Sequence, residues 1–140
     1  MSESYDSKIE AVREWLRSCP ALAGARIGVD YLAADVGSWV IDVMPTSPVL
    51  KTYITGATQR QYTFEVAAKL PYTDDITNNI ENLALCESVE SWIKSTPTLP
   101  ELPEGCSAQS AEVTSTAYAS YADTRTARYS VTGRIIYKED

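Results

Sequence analysis

The chain contains no histidine, which removes the commonest general base, the commonest metal ligand and every Ser-His or Cys-His nucleophile arrangement. Long apolar runs are also missing. The longest, around Trp39 to Met44 and Leu83 to Cys86, fall far short of the ~20 residues that cross a bilayer as a helix, and Asp42 interrupts the first. Cysteine is sparse and odd in number: Cys19, Cys86 and Cys106 form no C-x-x-C pair, so neither a disulfide framework nor a zinc site is indicated. Gly37, Gly56 and Gly105 stand alone, and without a G-x-x-x-x-G-K or G-x-G-x-x-G run nothing cradles phosphate. Basic residues are outnumbered 12 to 19 by acidic ones, and the net charge of -7 disfavours tight binding to a phosphate backbone. The opening Met1-Ser2-Glu3-Ser4-Tyr5-Asp6 lacks the basic start and apolar centre of a secretory signal, so synthesis in the cytosol is expected.

What is present suits one globular domain spanning 1–140, with 44% apolar and 22% charged residues. Ile9, Val12, Trp15, Leu16 and Cys19 recur at helical spacing between Tyr5 and Cys19, and Pro20 stops that helix. Arg26 to Tyr31 and Ser38 to Met44 read as strands separated by Ala33-Ala34-Asp35-Val36-Gly37, whose Asp and Gly suit a turn. Pro45-Thr46-Ser47-Pro48 ends the second. Gln59 to Leu70 alternates, with Tyr62, Phe64, Val66, Ala68 and Leu70 on one face. A helix over Asp75 to Lys94 follows, with an apolar stripe of Ile76, Ile80, Leu83, Cys86, Val89 and Ile93. Pro97, Pro100 and Pro103 make the next stretch a stiff extended connection. Glu112 to Tyr121 and Thr124 to Tyr137 form a hairpin about Ala122-Asp123, with Ala127, Tyr129, Val131, Ile135 and Tyr137 facing the core. The expected fold is α+β: two helices on a mainly antiparallel sheet of about five strands, in the order helix, three strands, helix, two strands.

Candidates for chemistry are few. The cysteines fall in a helix end, a helix stripe and a proline-rich loop, positions suited to buried or incidental thiols. Asp74-Asp75 suits a helix cap and Glu139-Asp140 a solvated tail better than an acid-base pair. Neither catalytic residues nor a cofactor or metal are expected, and the chain does not read as an enzyme. The polar strand face carrying Arg128 and Arg134 either is solvated or docks a partner. Tyr53, Tyr118 and Tyr121 lie in or beside strands without an obvious core stripe, which suits either surface filling or a protein interface.

The run Pro45-Thr46-Ser47-Pro48-Val49-Leu50-Lys51-Thr52-Tyr53-Ile54-Thr55-Gly56-Ala57-Thr58-Gln59-Arg60-Gln61-Tyr62-Thr63-Phe64 carries the skeleton P-x-x-P-V-x-K-x-Y-x-x-G-x-x-x-R-Q-Y-x-F. It resembles the minor capsid or tail-terminator family of long-tailed bacteriophages and prophages of Gram-positive bacteria. The likeness continues through Asn82, Glu90-Ser91-Trp92-Ile93, Leu99 to Gly105 and Asp123 to Tyr129, and departs from the family pattern at Thr55 and Cys106. The resemblance implies a structural protein of the virion tail or neck, made in the host cytoplasm. Its copies would form a ring, commonly a hexamer, on the finished tail tube. That ring would stop elongation and present a surface to head-tail connector proteins, with DNA passing through its lumen unbound and no membrane involved. It also brings Lys51 and Arg60 into the candidate interface beside Tyr53, Tyr118, Tyr121, Arg128 and Arg134. Another connector of the same phage, or a small-molecule-binding α+β domain, are the alternatives.

Overall fold

The computed structural model describes residues 7–29, 37–72, 75–122 and 125–140, with the side chains of 120 and 121 outside that description. Helix α1, Lys8–Arg17, begins where the Ser7 hydroxyl accepts the Glu10 N–H, and it buries Ala11, Val12, Trp15 and Leu16. Pro20 opens a short 3-10 turn, Pro20–Leu22. Six strands follow in chain order: β1 Ile27–Val29, β2 Trp39–Met44, β3 Val49–Thr52, β4 Thr58–Pro71, then, after helix α2 at Ile76–Ser95, β5 Cys106–Ala122 and β6 Thr126–Glu139.

The fold is α+β, with both helices on a mainly antiparallel sheet ordered β1-β2-β4-β6-β5 and β3 attached to β4. Strands β4 and β6 form its spine, paired from Thr58↔Glu139 to Pro71↔Thr126. The alternation read from the sequence holds: Phe64, Val66, Ala68 and Leu70 of β4 and Ala127, Tyr129, Val131, Ile135 and Tyr137 of β6 are buried under the helices, while Tyr62 packs against their margin. Trp15 ties the layers together. Its ring meets the Phe64 ring edge-on at 6.4 Å and the Trp92 ring at 4.8 Å, and its indole N–H donates to the Thr98 carbonyl at 2.9 Å.

The structure departs from the sequence reading in four places. Six strands are present instead of about five, because β3 lies between the two prolines and Gly56. Strands β1 and β2 run parallel, Ile27↔Trp39 to Val29↔Ile41, so no tight hairpin joins them; the expected turn at 33–36 lies outside the described residues. In α2 the core side is Asn82, Cys86, Val89 and Ile93, leaving Ile76 and Ile80 74% and 60% exposed. There the helix is fastened by polar groups, the amides of Asn78 and Asn82 donating to the Pro71 carbonyl and the Asp75 carboxylate capping Thr77 N–H. Last, β5 starts at Cys106, so that cysteine belongs to a strand and not to the proline-rich connection.

Candidate interaction surface

The P-x-x-P…R-Q-Y-x-F skeleton folds into one device. Strands β2 and β3 both run antiparallel along the same edge of β4, and between Met44↔Thr63 and Val49↔Arg60 the four residues Pro45 to Pro48 oppose only Gln61 and Tyr62. The excess makes a bulge with proline at both ends, where donors are not needed. Gln61 holds it, its backbone N–H donating to the Pro48 carbonyl at 2.9 Å and its side-chain amide to the Ser47 carbonyl at 2.8 Å.

Beyond the bulge the chain turns back. Tyr53 N–H donates to the Ala57 carbonyl at 2.8 Å and Gly56 N–H to the Tyr53 carbonyl at 3.0 Å, with Gly56 at φ +93°, a conformation that a side chain strains. Leu50 is the extra residue in the β3 register, between Val49↔Arg60 and Lys51↔Gln59. All four residues of β3 are exposed, Ile54 at the tip fully so, and the Lys51 ammonium lies 5.2 Å from the centre of the Tyr53 ring. Val49, Leu50 and Ile54 therefore put three large aliphatic side chains into water on one projecting hairpin. Scattered exposed aliphatics are ordinary; three on one short hairpin make it a candidate contact surface.

On the sheet face turned away from the helices, the arginines already have partners. One Arg128 amine lies 2.6 Å from Asp42 and 2.5 Å from Glu65. Those two carboxylates are cross-strand neighbours and would repel without it. Arg128 sits opposite Lys69, four residues along from Glu65, so its stem crosses the small pair Ala67↔Ser130, both fully buried. Burial opposes the guanidinium charge, yet hydrogen bonds and charges from Glu65 and Asp42 raise its pKa above the ordinary value. Arg134 pairs with Glu112 at 2.7 Å and donates to the Gln61 side-chain oxygen at 3.0 Å. A polar strap thus runs from the Ser47-Pro48 bulge through Gln61 and Arg134 to Glu112 on β5.

Arg60 points to the other side, pairing with Glu139 at 2.6 Å and with the Thr58 hydroxyl at 2.9 Å. Glu139 is thus a partly buried anchor and not part of a solvated tail. Tyr118 is exposed on the edge strand β5, and the side chain of Tyr121 lies outside the described residues. The six candidates with described side chains therefore form no single site. Lys51 and Tyr53 share the hairpin, Arg128 and Arg134 share a sheet face as internal struts, and Arg60 and Tyr118 stand apart. Sequence reasoning missed Val49, Leu50 and Ile54, whose signal was an aliphatic pair after proline and an isoleucine two residues before a turn glycine. It also missed Gln61, which sits within the skeleton.

Among the described residues no three metal-ligating side chains converge, and no helix is long and apolar enough to cross a membrane. Between the 3-10 turn and α2 lies an open groove of about 530 Å³, lined by Cys19, Pro20, Ala21, Ala84, Glu87, Ser88, Ser91, Trp92 and Ser95. Neither a scan against protein-family models nor a search of curated proteins finds a match to this chain.

Proposed function

We propose that this chain is a structural assembly protein of a long-tailed bacteriophage, of the tail-terminator type. Its copies form a ring on the end of the completed tail tube, stop tube growth and offer a surface to the head-tail connector. The observation that carries this reading is the hairpin Val49 to Gln61. The skeleton shared with tail terminators builds the hairpin (Pro45, Pro48, Gly56, Gln61), places its own Val49 and Lys51 in solvent, and leaves free the positions of the exposed Leu50 and Ile54. A ring requires heterologous contacts, one patch meeting a different patch on the neighbour, and a projecting element suits that geometry. The net charge of -7 suits a channel through which DNA passes without adhering.

The test is negative-stain microscopy and light scattering of the purified protein mixed with tail tubes from a phage whose copy of this gene has been deleted. Rings seated on tube ends are expected, and the deletion itself should leave abnormally long, headless tails. A protein that stays monomeric and never caps a tube sinks the terminator role; tails of normal length in the deletion move it to another part of the neck.

A further inference from the structure

Charges without an ion-pair partner among the described residues are not distributed at random. The unpaired carboxylates Glu10, Glu81, Glu87, Glu101 and Glu104 lie on α1, on α2 and on the connection after α2. Of the cations without an ion pair, Lys51 and Lys69 lie on the sheet, Lys8 on α1 and Arg26 between the 3-10 turn and β1, so carboxylates prevail in the helix layer. The groove between the 3-10 turn and α2 sits in the acidic layer. Small residues line it, Ala21, Ala84, Ser88, Ser91 and Ser95, over the Trp92 ring, and Glu87 stands at its margin. The hydroxyls of Ser88 and Ser95 turn inward to the carbonyls of Ala84 and Ser91, so they offer the groove little polarity.

We infer that the hairpin of one copy seats in this groove of the next copy, with Ile54 entering between the small residues and Lys51 meeting Glu87. This rests on the ring reading and names its interface. Two properties match: an aliphatic tip against a lining of Ala, Ser and Trp, and a cation without an ion pair against a carboxylate without one. The two surfaces belong to different layers of the molecule, so the contact is head-to-tail and its repetition closes a ring or extends a chain. A hairpin tip in a groove buries less than the ~1,200 Å² usual for stable pairs, so each contact is weak and assembly depends on ring closure at the tube end.

The test is a chain carrying both Ile54→Cys and Ser88→Cys, with Cys106→Ser to remove the half-exposed native thiol, oxidised with oxidised glutathione on tail-tube ends. A head-to-tail contact gives a ladder of disulfide-linked multimers running past the dimer, whereas each control carrying only one of the two introduced cysteines, beside the buried Cys19 and Cys86, stops at the dimer. In parallel, Lys51→Glu or Glu87→Lys alone should raise the protein concentration needed to cap tubes by about tenfold, and the combined swap should recover it. Wild-type rings on tubes without a ladder and without an effect of the swaps would overturn this interface and leave the terminator role standing. Absence of any wild-type ring overturns both.

Discussion

At the scale of single residues, the tightest constraint is Gly133. It is the register partner of Phe64, and the Phe64 ring lies across it: a Cβ added there would meet Phe64 Cζ at 3.1 Å and the Glu112 carbonyl oxygen at 3.0 Å. Gly133→Ala should therefore destabilise by about 1–3 kcal/mol, read as a lowered urea midpoint by tryptophan fluorescence. Adding Phe64→Leu should recover only part, because the Glu112 oxygen is backbone and cannot yield. The sequence carried half of this. Alternation put Phe64 and its neighbours in the core, but nothing in a one-dimensional pattern says which residue opposes which. The same limit governed the candidate site. Arg128 and Arg134 were legible as sharing a face, while their consumption by Asp42, Glu65, Glu112 and Gln61 depends on strand register across four strands.

At the scale of elements, α1 and the spine strands were legible because each carries its own period, 3.6 or 2, over ten or more residues, whereas in α2 only the later part of the stripe, Cys86, Val89 and Ile93, faces the core. Strand β3 was not: its four residues are all exposed and offer no alternation, and the flanking prolines read as a break instead of a bulge within a continuing edge. The parallel pairing of β1 was hidden because a three-residue strand has no signature of direction. Strand β5 shows how elements are fixed to one another. Its register shifts four times, once between Ser115 and Tyr118, and there the Ala117 N–H is taken by the Glu90 carboxylate of α2 at 3.0 Å. Such irregularity discourages another chain from adding to the open edge, and Glu90 pins it in place. Glu90→Ala should cost about 1–2 kcal/mol and speed amide hydrogen exchange at Ala117, while Glu90→Gln, whose carbonyl still accepts, should retain most of the protection. Equal exchange in both variants would show that the carboxylate does not hold the bulge.

At the scale of the whole molecule, the absence of histidine leaves no side chain whose ordinary pKa lies near neutrality, and the buried thiols make the fold sensitive to alkali. Burial pushes the acids Cys19, Cys106 and Tyr137 above their ordinary values. Cys86, buried under α2 and beside the charge of Glu87, is pushed up to about 12. An unfolded thiol releases its proton near about 8.5, whereas the folded Cys86 holds it, so between these limits the folded state binds the extra proton. Stability is then fully present below about pH 8.5 and is lost as pH rises towards 12, at up to about 1.4 kcal/mol per pH unit from this one group. The urea midpoint should be flat from about pH 6 to 8 and fall steeply above 9. Cys86→Ala lowers the plateau by about 1 kcal/mol through the lost sulfur contacts, yet makes the alkaline limb shallower, so the two curves cross near about pH 9 and the variant is the more stable above it. A limb of unchanged slope in the variant would assign the alkaline loss to Tyr137 and the other thiols instead of to Cys86.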